Sequence, residues 1–311
     1  VDDNSDEGFL EAFFQYTTKF NKEGHQLSAD IKYDNSLADN ETDILNTETF
    51  PGSELTEQKY VKDESVDNFY AKADYTLPIK DKSSLEAGVK ANFRQYSNDF
   101  SSSNLNQNTP HLDPIADFSS QIDYNERIYA FYVNYSKQFE RFSYSLGLRT
   151  EITETTITEK IINEEYVNNY NNIFPNAILT YSLKDQNVLT LGYTKYIDRP
   201  NVSELNPFNS FTDERFILVG NPYLQPYYTN YFYLEYYQEF KKLSLNTALF
   251  YSNSTDRILN VLEKTGLLTS DGFDIYQRIP INNGTLNYTG LEIEATYNPT
   301  NKIRLYGLLS P

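Results

Sequence analysis

The chain has 311 residues, no cysteine, two histidines and a net charge of −18 at pH 7. Disulfides and thiolate metal sites are therefore excluded, a histidine metal cluster is disfavoured, and the acidic balance argues against a nucleic-acid partner. The mean hydropathy is −0.62, and no run of about 20 apolar residues occurs, which excludes a helical membrane protein.

Side chains alternate between apolar and polar along most of the chain. Phe142, Tyr144 and Leu146 fall on one side of a segment whose other side carries Ser143 and Ser145, which is the period of a β-strand. About twelve such strands are predicted. In chain order they cover residues 10–16, 27–33, 69–77, 85–93, 129–135, 141–151, 189–193, 232–236, 243–249 and 291–295, with weaker candidates at 174–184 and 303–309.

The connections between these strands alternate strictly between short and long. This layout is typical of an outer-membrane barrel, whose periplasmic turns are tight and whose external loops are long. A soluble β-sandwich has no reason to keep its long loops at one end. The sequence thus predicts an all-β fold, an antiparallel transmembrane β-barrel. The short connections are 21–24, 80–83, 140, 185–187, 241–242 and 298–302, and the long ones are about 36–65, 97–123, 158–172, 198–228 and 260–272.

Residues 173–240 carry the most specific motif. Ile173-Phe174-Pro175-Asn176 precedes a strand that ends in Ile197-Asp198-Arg199-Pro200. Glu204-Leu205-Asn206-Pro207-Phe208 and Gly220-Asn221-Pro222-Tyr223-Leu224-Gln225-Pro226 follow, before a tyrosine-rich strand. In this order and spacing the segment resembles the barrel region of TonB-dependent receptors, in the form common in Bacteroidota. Weaker likeness extends over about 66–309.

The resemblance implies an outer-membrane importer of a bulky nutrient, such as a metal chelate, a glycan or a peptide. Its expected partners are outer-membrane lipid, TonB, a plug domain and a surface lipoprotein, without a cofactor. Such barrels have twenty-two strands, so residues 1–311 are expected to form a partial barrel that lacks the plug and the TonB-contact segment. The alternative is a non-transporting barrel that serves as a structural or interaction component of an outer-membrane complex.

The motif residues between the two strands are expected to shape an external loop. Proline fixes φ and removes a hydrogen-bond donor, Asn-Pro steps favour turns, and glycine allows a positive φ. Direct contact with a ligand is the alternative role for this loop. The loop residues are Arg199, Pro200, Asn206, Pro207, Phe208, Gly220, Asn221, Pro222, Leu224 and Pro226.

Charged residues on the polar sides of the strands should face the barrel lumen if the apolar sides meet lipid. No P-loop, dinucleotide fingerprint, EF-hand or Gly-x-Ser-x-Gly motif occurs, and the carboxylates form no distinctive pair. The sequence therefore predicts neither an enzyme nor a metal site. The expected lumen-facing polar residues are Lys90, Arg94, Arg149, Glu151, Glu292 and Glu294.

Overall fold

The computed structural model describes residues 2–48, 54–80, 82–105, 111–114, 119–183, 187–213, 216–269 and 272–310. These residues form fifteen strands and one short helix, somewhat more strands than the sequence predicts. The strands are β1 Asp2–Lys19, β2 Gln26–Glu48, β3 Glu54–Pro78, β4 Ser83–Leu105, β5 Leu112–Pro114, β6 Ser120–Gln138, β7 Phe142–Glu159, β8 Glu164–Ser182, β9 Val188–Asp198, β10 Asn209–Asp213, β11 Phe216–Val219, β12 Tyr227–Glu239, β13 Leu243–Leu268, β14 Asp274–Thr300 and β15 Ile303–Leu309, and the helix is α1 Val202–Leu205.

All fifteen strands belong to one sheet. The long strands β1 to β4, β6 to β9 and β12 to β15 pair antiparallel in chain order. Among the described strands the one parallel pair is β11 with β14, which brings the hairpin β10–β11 to an edge of the sheet. The predicted all-β antiparallel fold is confirmed.

Three of the predicted long loops are mostly strand. The structure extends β2 and β3 through nearly all of 36–65, turns between β7 and β8 within 160–163, and carries β13 to Leu268. Residues 36–65 are largely polar in sequence, and residues 258–268 do not alternate between apolar and polar side chains. The backbone ladder nevertheless continues, because it does not depend on side-chain polarity. The segment 198–228 alone among these loops folds with a helix and its own hairpin.

The register divides the side chains of the sheet between two faces. Cross-strand partners lie on the same face, and the ladder runs without a shift from Lys90 through Ala130 to Glu151. We call the face that carries these three residues the inner face. The opposite, outer face carries Val89, Phe131 and Thr150, which are likewise paired across β4, β6 and β7.

A row of leucines crosses the outer face on five adjacent strands. Each leucine is 37–50% exposed, and large contiguous apolar patches are rare on soluble monomers. The outer face is therefore built to contact an apolar phase. The row consists of Leu179, Leu191, Leu234, Leu249 and Leu291.

Within the described residues, no helix has the length and apolar character needed to cross a membrane.

Leu146 and Ser145 are neighbours on opposite faces of β7 and offer a matched test of this arrangement. We expect Leu146→Arg to reduce the free energy of unfolding in a bilayer by about 1–2 kcal/mol, because a charge would face lipid just inside the interface. Ser145→Arg should cost much less, since the inner face is polar. Urea unfolding of the full-length protein in lipid vesicles measures both changes, and equal costs would refute the assignment of the faces.

Candidate functional site

The segment between β9 and β12 begins with a tightly capped helix. Asn201 accepts a hydrogen bond from the Glu204 backbone N–H at 2.9 Å, and the Glu204 carboxylate accepts one from the Asn201 N–H at 2.9 Å. This reciprocal capping box satisfies two amide donors at the start of α1. The capping box therefore stabilises a helix of four residues, which is too short to be stable alone.

The end of α1 is bound to the end of β11. Gly220 donates its backbone N–H to the Asn206 carbonyl at 2.8 Å, and Asn221 donates to the Glu204 carbonyl at 2.7 Å. A Cβ at position 220 would collide with those two carbonyl oxygens. Glycine is thus required here by the close approach of two backbone segments.

Two asparagines of the motif form turns through hydrogen bonds between their side chains and the backbone. The Asn206 side-chain oxygen accepts from the Phe208 N–H at 2.8 Å, and the Asn221 side-chain oxygen accepts from the Tyr223 N–H at 3.0 Å. Both are Asx turns, with the side chain in place of a backbone acceptor. The amide of Asn221 also donates to the Pro280 carbonyl on β14 at 3.1 Å, so the loop is fastened to the sheet.

Leucine side chains anchor the loop on the inner face. Leu205 and Leu224 pack against Ile122, Tyr124 and Ile157 of β6 and β7, and Leu224 is 0% exposed. Three prolines of the loop pack beside this cluster and leave almost no cavity volume there. They are Pro200, Pro222 and Pro226. Half-buried Pro207 and Phe208 lie between α1 and β10.

Arg199 connects the start of the loop to the charged row of the inner face. Its Nη2 lies 2.6 Å from Glu151 Oε2, and its Nε donates to the Tyr170 hydroxyl at 3.0 Å. Arg149 holds the other oxygen of the same carboxylate at 2.6 Å. Burial opposes the charge on Arg199, but Tyr170 and Glu151 outweigh it, so the pKa of the guanidinium is raised above its ordinary value.

The six polar residues expected to face the lumen all lie on the inner face by register. Arg149 and Glu151 join the loop through Arg199. Lys90 lies over the Tyr70 ring at 4.9 Å, and Arg94 is paired with Glu126 in the ladder. Glu292 and Glu294 lie on β14 opposite Ala248 and Asn246. That these residues line a lumen stays a prediction.

A cavity of about 530 Å³ opens between the loop and the walls of the sheet. Ser120 is 1% exposed, and its Oγ has no hydrogen-bond partner within the described structure. The same holds for the buried Oδ1 of Asn98. Buried polar atoms are normally paired, so these two atoms suit a polar ligand. The other walls comprise Lys62, Glu64, Tyr96, Phe100, Ile122, Val202, Ser203, Glu204, Asn206, Phe208, Leu218, Val219, Gly220, Asn260, Arg278 and Pro280.

Sequence reasoning identified the loop but missed its attachment points. Asn168 donates to the Leu224 carbonyl at 3.0 Å, and Asn282 accepts from the Gln225 N–H at 2.8 Å. These partners are 56 and 57 residues distant in sequence, and no local pattern marks them. Among the described residues, no cluster of three or more His, Cys, Asp or Glu side chains could hold a metal ion.

Leu224 and Tyr223 are adjacent residues that test the anchoring role of the leucines. Leu224→Ala should destabilise the loop by about 2–5 kcal/mol, because it removes a fully buried side chain. Tyr223→Ala should have little effect, since Tyr223 is 74% exposed. The temperature at which a protease cleaves the loop in membrane-inserted protein reports both changes. An equal shift for the two variants would show that the loop is not held by this core.

The sequence matches the outer membrane protein beta-barrel family over residues 18–310. No curated protein matches it significantly.

Solved structures share the fold at low sequence identity. The ferric citrate transporter FecA is 14% identical with a TM-score of 0.62, and the alignment covers 98% of this chain and 42% of that one. The copper transporter OprC is 14% identical with a TM-score of 0.67 and coverages of 97% and 45%. The Serratia marcescens hemophore receptor HasR, solved with its hemophore HasA and heme, is 13% identical with a TM-score of 0.64 and coverages of 95% and 47%.

The chain spans less than half the length of each of these three structures. Its single, mostly antiparallel sheet, its apolar outer face and the family match over nearly the whole sequence agree with one another. The chain belongs to the outer membrane protein beta-barrel family and is located in the bacterial outer membrane.

Proposed function

We propose that this chain is the barrel wall of a TonB-dependent receptor that imports a bulky nutrient, such as a metal chelate, a glycan or a peptide. The likeness of its fold to transporters of ferric citrate and copper and to a hemophore receptor supports this proposal. The observation that carries it is the loop 199–226. Its described residues are held by hydrogen bonds and buried leucines, and they bound a cavity with two buried polar atoms that have no partner among the described residues.

In this proposal the loop and the walls of the cavity capture the ligand. Tyr96, Phe100 and Phe208 offer aromatic surface, while Ser120 and Asn98 offer hydrogen bonds. Apolar walls with a few placed polar groups are typical of ligand sites. No bond is made or broken, and the energy for release into the periplasm comes from the inner membrane through TonB.

The inner face then lines the path of the ligand through a barrel of twenty-two strands. Lys90, Arg94 and Arg149 share this inner face with Glu151, Glu292 and Glu294, so the polar wall carries both signs of charge. A plug domain closes such a path at rest, and a surface lipoprotein that covers the loop end is a further proposed partner.

An importer of this kind requires a plug and a segment that contacts TonB, so the mature protein must be larger than this chain. We expect an intact mass above 36.1 kDa by a domain of about 100–200 residues. Mass spectrometry of protein extracted from outer membranes measures this directly. A mature mass close to 36.1 kDa would contradict import and favour a structural barrel.

Loss of uptake provides the functional test. A strain that lacks the gene should lose uptake of at least one of ferric citrate, heme, an oligosaccharide mixture and an oligopeptide mixture. The complemented strain should recover this uptake and lose it again when an uncoupler dissipates the proton gradient. Unchanged uptake of all four, or uptake that the uncoupler does not affect, would count against the proposal.

Ser120→Ala and Ser254→Ala should separate ligand capture from stability. Ser120 Oγ has no partner within the described structure, so its removal should leave stability unchanged. The half-saturating ligand concentration for uptake should rise about fivefold to tenfold through the loss of one hydrogen bond. Ser254 shares a buried hydrogen bond with Thr229 at 2.8 Å, so Ser254→Ala should lower stability with little effect on capture. Unchanged capture in Ser120→Ala would exclude this cavity as the site.

A further inference from the structure

A cluster of basic and aromatic side chains lies at the short-turn end of the sheet, on the opposite side of the molecule from the loop. It surrounds a shallow surface cavity of about 640 Å³ where β4, β6 and β7 meet. The lining residues are Lys82, Lys137, Gln138, Phe139, Glu140, Arg141 and Phe142. We refer to these residues as the basic turn cluster.

Backbone hydrogen bonds fix the shape of the basic turn cluster. Gln138 donates to the Lys82 carbonyl at 3.0 Å, which joins the turn before β4 to the end of β6. Phe139 donates to the Phe142 carbonyl at 2.7 Å and closes the turn between β6 and β7. The cations are thus presented on two adjacent turns of defined geometry.

Lys137 lies where the apolar stripe of the outer face ends. It continues the stripe of Phe131, Val133 and Tyr135 on β6, and its ladder partner on β7 is Tyr144. Its ammonium lies over the Phe139 ring, 5.0 Å from the centroid. A lysine at this position buries its aliphatic stem in the apolar layer and places its charge among the lipid headgroups.

Aromatic rings flank the cations at the same level. Phe139 and Phe142 stack with their centroids 6.2 Å apart, and Tyr144 lies 6.0 Å from Phe142. Phe139 is 46% exposed and Phe142 is 38% exposed. Exposed aromatic rings beside basic residues are typical of the interface between the hydrocarbon layer and the headgroups.

The charge of this cluster is opposite to that of the chain. The whole chain carries −18, whereas the described residues that line the cavity include three cations, Lys82, Lys137 and Arg141, and one carboxylate, Glu140. None of the three cations forms an ion pair with another residue of the described structure. Unpaired cations at a membrane surface attract anionic lipid.

We propose that the basic turn cluster binds the headgroup of an anionic phospholipid in the periplasmic leaflet. Lys82, Lys137 and Arg141 hold the phosphodiester, while Phe139 and Phe142 contact the first part of the acyl chains. The proposal depends on the membrane orientation of the barrel and is independent of whether the barrel transports a nutrient.

Native mass spectrometry of the full-length protein with phosphatidylglycerol or phosphatidylethanolamine tests the proposal. The wild type should retain phosphatidylglycerol preferentially, and retention should fall as salt rises, because exposed charges are screened. The double variant Lys137→Gln, Arg141→Gln should bind phosphatidylglycerol about fivefold more weakly for each charge removed.

The matched control is the double variant Lys160→Gln, Lys264→Gln, which removes the same charge from exposed positions at the opposite, long-loop end of the sheet. It should retain phosphatidylglycerol as the wild type does. If the two double variants lost phosphatidylglycerol retention equally, overall charge would explain the effect, and the proposal would be overturned. Equal retention of phosphatidylglycerol and phosphatidylethanolamine by the wild type would overturn the proposal as well. That comparison does not depend on the folding of any variant.

Discussion

The period of two along a continuous antiparallel ladder is the constraint on which the rest of this structure depends. In hydrocarbon no water can satisfy a backbone N–H or C=O, so each strand must complete its ladder with its neighbours. Once the register is set, every side chain is assigned to one face. Leu179, Leu191, Leu234, Leu249 and Leu291 then form one apolar row on the outer face. The charged residues Arg149, Glu151, Glu292 and Glu294 lie on the inner face.

This assignment constrains the segment between β9 and β12, which has to find apolar contacts on the polar inner face. A polar inner face offers little apolar surface, yet Leu205 and Leu224 find it in Ile122, Tyr124 and Ile157. Arg199 brings a charge to the same region, where Glu151 neutralises it at 2.6 Å. Since a partly buried carboxylate is costly to leave unpaired, the loop and the charged row of the wall are energetically linked.

Much of the fold could be predicted from the sequence, because each face of a strand leaves a local pattern. The paired faces of β4, β6 and β7 follow from alternation alone, and the short turns follow from breaks in it. The full extents of β2, β3 and β13 could not be predicted, since residues 36–65 are largely polar and residues 258–268 do not alternate between apolar and polar side chains.

The long-range contacts of the loop could not be predicted either, because no local sequence pattern marks the partner residues. The Arg199–Glu151 pair joins residues 48 apart, and the parallel pairing of β11 with β14 joins segments that have no shared motif. Asn206, Gly220 and Asn221 were recognisable as turn residues, but their partners were not. The cavity likewise depends on walls from five separate strands and the loop.

The most direct test of the two-faced wall is a spin-label scan of residues 142–149 in the full-length protein in bilayers. These 311 residues contain no cysteine, so each single cysteine variant carries one label within them. Accessibility to oxygen, which partitions into lipid, should peak at Phe142, Tyr144, Leu146 and Leu148 and fall at the residues between them. Accessibility without a two-residue period, or with its maxima at Ser143, Ser145 and Gly147, would contradict the account.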